Sequence, residues 1–501
     1  MSAVLAVDLG GSALKACLFD TGGEEIAAAG MPITFEEDAG GRSEQHPQLW
    51  WEALGRATEE IAGKSAARLK DIAAVAICGF TRTQVFLDEQ NNVVRPAIGF
   101  RDSRASGSAE EALSRPGVAG HPAAGKLNAF HPLARLLWLQ QNEPKAWATT
   151  QLVLEPKDYL NLRLTGQAMS DLISQFWLRT AMEGGAGSLA ALAGIDRDPL
   201  PPTGNPEDAV GHVLDGLPGA LSRLAGAPVF CGSNDTWAAV GGLGALRSGY
   251  AYCISGSSEV LGLVTDRNAE ADGLSTVPWG VNIWQVGGPG QNGANALAWI
   301  VDILDSRDLP FAERLDGLLK LPASSQPLLF HPFLQGERVP FWDRDLRASF
   351  FGLSAVHGAG DLVRAVMEGV AFVNRIVLER AEQATGQRAS EVRIAGGGGR
   401  SPVWNQIRAD ILGRPVLASP EREMGLAGCL ALARVGLAVD ADMGSAADAV
   451  APDFARFEPD PARRPRFDAY YSVFRDAHGA LSDASHRLAR IGRDEFDPAS
   501  H

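Results

Sequence analysis

Cysteine is scarce and badly spaced for chemistry. Five residues, Cys17, Cys78, Cys231, Cys253 and Cys429, are scattered over 501 positions. An odd number without a C-x-x-C pair gives neither a disulfide framework nor a zinc site, so they read as buried thiols. Positive charge is short as well, with 45 Lys and Arg against 60 Asp and Glu and a net charge of -15. That balance attracts neither nucleic acid nor an anionic membrane. An anionic ligand would need a local basic or amide-lined pocket. No basic segment precedes the opening apolar residues, which meet Asp8 within a few positions. The N-terminus therefore reads as neither a signal peptide nor a membrane span, and cytoplasm is the expected compartment. What is present, 46% hydrophobic and 21% charged residues, fits a soluble globular chain long enough for two domains and two cores.

The first residues read as a strand (Ala3 to Val7), a tight turn from Asp8 to Ser12, and a second strand (Leu14 to Phe19). Strand-like runs at Ile72 to Cys78, Val85 to Leu87 and Gln151 to Leu154 alternate with helical spacing at Pro47 to Ala62 and Pro132 to Gln141. The class is α/β. Near residue 229 an apolar strand enters the polar turn Gly232-Ser233-Asn234-Asp235, followed by a helix of small residues, Thr236 to Ala245. A second hairpin then begins: Ala251 to Ile254, the turn Ser255-Gly256-Ser257-Ser258, and a strand from Val260 to Val264. The repeat predicts two related halves facing each other across a cleft. An acidic, Pro-containing linker and a terminal helix are expected beyond about residue 446.

Both hairpin turns are rich in backbone N–H groups. Gly10 and Gly11 can form an anion-binding nest, to which Ser12 and Lys15 add a hydroxyl and a charge. An ordinary hairpin turn explains the first motif alone; the second, at Ser255 to Ser258, tips the reading toward two grips on successive phosphates of one nucleotide, with magnesium held by a nearby acid. Asp235 stands at a helix N-terminus, where a carboxylate is stabilised in its ionised form. It is either a plain N-cap or, lying between the two turns, a chemical group. Gly396-Gly397-Gly398-Gly399-Arg400-Ser401 offers bare backbone to a ligand or is a flexible loop. The segment Gly336 to Asp343 alternates charges and aromatics, and an interdomain salt-bridge knot is an equal reading of it. Two matches to familiar spacings carry little. Gly120 to Lys126 has P-loop spacing, but Leu127 replaces the magnesium-binding hydroxyl and no strand precedes it. Gly288 to Gly293 has dinucleotide spacing, but it lies mid-chain with a proline in the turn.

Together these motifs resemble the FGGY family of carbohydrate kinases over residues 3 to 435. The segment Pro332 to Asp343 with Arg347 and Phe350-Phe351-Gly352-Leu353 is similar to the xylulokinase-like branch. Gly396 to Ser401 with Trp404, Gln406, Asp410 and Gly425-Leu426-Ala427-Gly428 looks like the family's C-terminal signature; Lys157-Asp158-Tyr159-Leu160, Leu164-Thr165-Gly166 and Asp171 also match. The resemblance implies a two-domain actin/hexokinase-type ATPase (ribonuclease H-like) fold with an interdomain cleft. It implies a sugar-binding and catalytic domain over 1–245, a nucleotide-binding domain over 246–445 and a helical extension over 446–501. ATP and Mg2+ are the implied cofactors, and a small sugar is the partner; a homodimer is left open. By position, Asp8 and Asp235 are implied at the metal, Asp235 as general base, and Gly10, Gly11, Ser12, Lys15, Gly256, Ser257, Ser258, Gly397, Gly398 and Asn405 at the nucleotide. Substrate contacts are implied at Phe80, Thr81, Arg82, Asp102, Arg104 and Asp235. The expected reaction is phosphorylation of a ketopentose such as xylulose or ribulose, or a related ketose. Alternatives are a polyol or tetrulose kinase and, from another class, a nucleotide-dependent interaction module or a sugar-binding pseudokinase. Phe80-Thr81-Arg82-Thr83 departs from the Gln-Met-His-Gly usual in pentulose kinases, and this argues against plain D-xylulose; an equal reading pairs Arg82 with a carboxylate of this chain.

Overall fold

A computed structural model describes residues 2–38, 40–419, 423–451 and 453–494. Two compact units form. The first comprises the described residues up to Gly244 together with Glu423–Ala451, and the second the remaining ones from Ala245 onward. The first unit is built on a six-stranded sheet of β1 (Ala3–Leu9), β2 (Ala13–Asp20), β3 (Glu25–Pro32), β4 (Ile72–Gly79), β5 (Ala209–His212) and β6 (Pro228–Phe230), in the order β5-β6-β4-β1-β2-β3. β1 to β3 form an antiparallel meander, whereas β1, β4 and β6 run parallel. In β1 the residues from Ala3 to Val7 are fully buried. Such a continuous apolar run belongs to a strand covered on both faces, and the helices Gln48–Ser65 and Met424–Gly436 pack on this sheet.

The second unit repeats the plan. Its seven strands are β7 (Tyr250–Ser255), β8 (Glu259–Thr265), β9 (Ser275–Gly280), β10 (Ile283–Pro289), β11 (Glu391–Ala395), β12 (Val416–Ala418) and β13 (Ala455–Phe457), ordered β9-β10-β8-β7-β11-β12-β13. The hairpin β7–β8 is antiparallel, and β7 continues into parallel pairing with β11, as β1–β2 does with β4. The 27-residue helix Ala359–Thr385 and the helix Pro402–Leu412 contribute to its core.

The expected sequence spans 246–445 and 446–501 do not coincide with the compact units. Helices Met424–Gly436 and Met443–Val450 belong to the first unit, because the former buries its apolar face on β1 and β4. Nor is the region after residue 446 a linker. β13 joins the edge of the second sheet, and the helix Arg464–Asp494 sends Phe467, Tyr471 and Phe474 into the second unit's core. Residues 495–501 of the expected extension lie outside the described residues.

Candidate active site

In the first unit the ends of three parallel strands bring together groups far apart in sequence. Asp8 lies near the end of β1, beside Cys78 of β4. The chain leaves β4 into the 80–82 turn, with Phe80 N–H donating to Leu9 O at 3.0 Å. Beyond β6, Asn234 bridges to Gly79 in parallel register. The carboxyl ends of parallel strands are where α/β sheets bind ligands, and Asp8, Thr81, Arg82 and Asp235 all gather there.

Asp235 is not the helix cap. Asn234 is: its side chain accepts from Trp237 N–H at 2.7 Å. Asp235 occupies the first helical position and accepts from Thr236, N–H at 2.6 Å and hydroxyl at 3.3 Å. Burial pushes its carboxyl up, while Thr236 and then Arg82 hold it down. Its helix is fixed by close packing, since a Cβ at Gly428 would collide with Ala238 O. The turn before it is anchored by a buried ion triad. Lys157 Nζ lies 2.5 Å from Asp158 and 2.9 Å from Asp171, and it donates to Cys231 O at 3.2 Å. Asp171 also accepts from Ser233 Oγ at 2.8 Å.

Asp8 is half-buried, and its carboxyl is pushed up to about 7 by burial and by repulsion from Asp235, with Lys15 pulling it down. Its Oδ1 has no hydrogen-bond partner, and a Cβ at Gly425 would stand 2.6 Å from its Oδ2. Two hard carboxylates, one with an orphaned oxygen, suit a divalent cation that takes its other ligands from phosphate and water. Among the described residues no three His, Cys, Asp or Glu side chains form a metal cluster by themselves. In the adjacent turn Gly10 N–H is spent on Ala13 O at 2.9 Å. Among the described residues the amides of Gly11 and Ser12 make no such bond. Lys15 pairs with Glu423 at 2.7 Å on the surface.

Three expected substrate contacts face the protein instead. Phe80 is 4% exposed and packs edge-on against Phe35 and Trp50 and beside Phe100, so it is core. Asp102 is fully buried and accepts from Ser43 N–H at 2.7 Å and from Arg104 at 2.6 Å. Arg104 also reaches Glu44 at 2.8 Å and lies over the Trp138 ring. This pair braces the 99–104 loop. Thr81 and Arg82 remain partly exposed at the strand ends.

In the second unit, the turn Gly256-Ser257-Ser258 is open on its outer side, with Ser257 exposed. Its carbonyls are taken by the next helix: Ala294 N–H donates to Gly256 O at 3.1 Å and Asn295 N–H to Ser257 O at 3.0 Å. The dinucleotide-like run Gly288 to Gly293 therefore supports this turn and has no free helix end for a pyrophosphate. Behind the turn lies a pair that sequence reasoning missed, Glu259 and Arg408, both buried and 2.7 Å apart. Arg408 also donates to Ser255 Oγ at 2.8 Å and Gly398 O at 3.1 Å, tying the turn to the glycine loop. Gly397 is exposed with open space above it, whereas a Cβ at Gly398 would meet Ser255 Oγ. Asn405 is 1% exposed and spends its amide on Gly399 O at 2.7 Å and on Arg408. Its expected nucleotide contact is thus corrected to support of the loop. Glu337 accepts from Asn292 Nδ2 at 3.0 Å and Asp343 pairs with His486 at 2.7 Å; the Gly336 to Asp343 knot is internal to this unit. The P-loop-like run is a 3-10 turn at Ala124–Lys126, without a preceding strand.

Known proteins are similar to this chain over most of its length. A 28% identical relative, the xylulose kinase of Lactococcus lactis subsp. lactis (strain IL1403), matches over 98% of this chain and 99% of that protein. The gluconokinase of Bacillus licheniformis is 26% identical over 87% of each. The solved xylulose kinase of Rhodospirillum rubrum superposes with a TM-score of 0.84 at 26% identity, covering 97% of this chain and all of that one. The N-terminal domain model of the FGGY family of carbohydrate kinases matches residues 3–242 and the C-terminal domain model residues 251–437, which take in both phosphate-type turns, Asp235 and the glycine loop: this chain belongs to the FGGY family of carbohydrate kinases.

Proposed function

We propose that this sugar kinase transfers the γ-phosphoryl group of ATP to a hydroxyl of a small sugar, of the size of xylulose or ribulose, with Asp235 as general base. The observation that carries the reading is Asp235 itself. Asn234 caps the helix, so the carboxylate beside Arg82 and Asp8 has no structural duty beyond its bonds to Thr236. In the transfer, the sugar oxygen bonds to the γ-phosphorus, the bond to the β–γ bridging oxygen breaks, and ADP leaves. Asp235 orients the attacking hydroxyl and accepts its proton late. Asp8 and Asp235 would hold Mg2+, which when bound neutralises charge on the phosphate oxygens. The amides of Gly11 and Ser12 with Lys15 in the first unit, and those of Gly256 to Ser258 in the second, would meet phosphate oxygens; Gly397 would line the nucleotide. Supporting the sugar class, relatives named xylulose kinase and gluconokinase match over most of their lengths.

Asp235→Asn tests the reading. Turnover is expected to fall by about two orders of magnitude or more, with ATP affinity held within a few-fold. Near-normal turnover in this variant would remove Asp235 from the mechanism.

A further inference from the structure

We propose that the sugar this kinase phosphorylates carries a carboxylate, an aldonate-type sugar acid rather than a neutral ketose, and that Arg82 binds it. The inference rests on reading the 80–82 turn as the sugar side of the site. Arg82 holds a left-handed backbone, with φ of 55°, which a non-glycine residue adopts only under constraint. The constraint is visible: its carbonyl is gripped by Arg135 Nη1. That grip aims a half-buried guanidinium at the strand ends where Asp235 stands. Among the described residues this guanidinium has no hydrogen bond and no ion-pair partner.

Neighbouring arginines are different. Arg95 reaches Glu143 at 2.8 Å, Arg101 reaches Glu37 at 3.4 Å, and Arg104 reaches Asp102 and Glu44. In a chain with net charge -15, carboxylates are plentiful, yet among the described residues none is hydrogen-bonded to the Arg82 fork. Arg135 behind it is fully buried and bonds only neutral acceptors: Arg82 O, Gln84 Oε1 and Phe100 O at 3.2 Å, and Asp102 O at 3.5 Å. Two guanidinium groups thus share one spot without a carboxylate at bonding distance. Glu155 accepts from Thr83 N–H at 3.2 Å; it and Asp235 act on Arg82 electrostatically, and among the described residues neither is hydrogen-bonded to its guanidinium. A guanidinium fork matches a carboxylate with two parallel hydrogen bonds. A neutral hydroxyl could accept one of them but would leave the second donor of the fork unused.

The test is a competition assay on the full chain with Mg-ATP, offering aldonates of four to six carbons together with ketopentoses, tetruloses and polyols. The wild type is expected to use an aldonate best. Arg82→Gln is expected to cost that aldonate about ten- to a hundred-fold more in kcat/KM than it costs any neutral sugar, the scale of a lost charge-assisted bond. Arg82→Lys is expected to recover part of the difference by keeping the charge without the fork. A wild-type preference for a neutral ketose, which needs no variant to fold, overturns the proposal while leaving the kinase reading intact. A loss in Arg82→Gln confined to the KM for ATP, with the sugar ranking unchanged, also overturns it and moves Arg82 to the phosphoryl group. No transfer to any sugar at all sinks both readings together.

Discussion

Lys15 and Arg408 are both cations beside a phosphate-type turn, yet their surroundings give them different work. Lys15 and Glu423 form a pair with side chains 41% and 56% exposed. Such surface pairs add at most about 1 kcal/mol, so Lys15 is poorly explained as a stabilising residue and well explained as a ligand cation. Lys15→Ala is expected to weaken ATP binding about ten-fold or more, the scale of a hydrogen bond to a charged group, with an unchanged melting temperature. Lys126→Ala should change neither, because its 3-10 turn lacks a strand and a hydroxyl. Titration with a nucleotide analogue, together with thermal unfolding of both variants, checks the pair of statements. At this scale the sequence was informative where structure is local: both hairpin turns and the helix start at Asp235 could be read directly. It misled at Phe80, Asp102 and Asn405. Residue type and position look the same for a side chain facing a ligand and for one spent on the protein; only the packing of Phe35, Trp50 and Phe100 on Phe80 decides.

At the scale of elements, the second unit depends on a contact that no local pattern announces. Arg408 on the helix Pro402–Leu412 reaches Glu259 at the start of β8, 149 residues earlier, and lies over the Trp404 ring at 3.9 Å. Asn374 of the long helix donates to the same carboxylate at 3.1 Å. These bonds hold the Gly256 turn and the glycine loop in one arrangement, so that their exposed amides are presented together. Removing one partner leaves a buried charge uncompensated, a loss of about 3 to 5 kcal/mol. Arg408→Met is therefore expected to unfold the second unit at lower temperature, and Glu259→Gln, which keeps shape and most acceptor capacity, to do so less. In Glu259→Gln the KM for ATP should rise while the KM for sugar stays near the wild-type value. Equal increases in both would mean that the pair supports general folding only. The strands and helices themselves were legible, because alternation and helical spacing are short-range properties. Which strand neighbours which was not, since β1–β4 and β7–β11 are parallel pairings across long connections.

For the whole molecule, continuity along the chain was the misleading guide. Helix Met424–Gly436 follows the second unit's strands in sequence but folds onto the first unit, and composition alone carries no sign of that return. The acidic balance, in contrast, was legible, and its effect on stability resides in particular carboxylates. Glu368, half-buried on the helix Ala359–Thr385, is pushed by burial from 4.5 up to about 7, with Arg466 and Arg364 pulling it back. Its folded value lies above its unfolded one. As pH rises from about 4.5 to about 7, the unfolded chain releases this proton first, so the group lowers stability across that window and contributes no further change above it. Glu368→Gln cannot release a proton. The variant is thus expected to lose less stability than the wild type between pH 5 and pH 7, and the two curves should run parallel above about pH 8. Asp8 titrates near 7 as well, but it is present in both proteins and drops out of the difference. Calorimetric unfolding at several pH values is the suitable measurement, because two compact units can give two transitions and the change belongs to the unit that contains residue 368. A difference curve that is flat from pH 5 to pH 8 would mean that Glu368 titrates like an exposed carboxylate, and that the arginines facing it outweigh its burial.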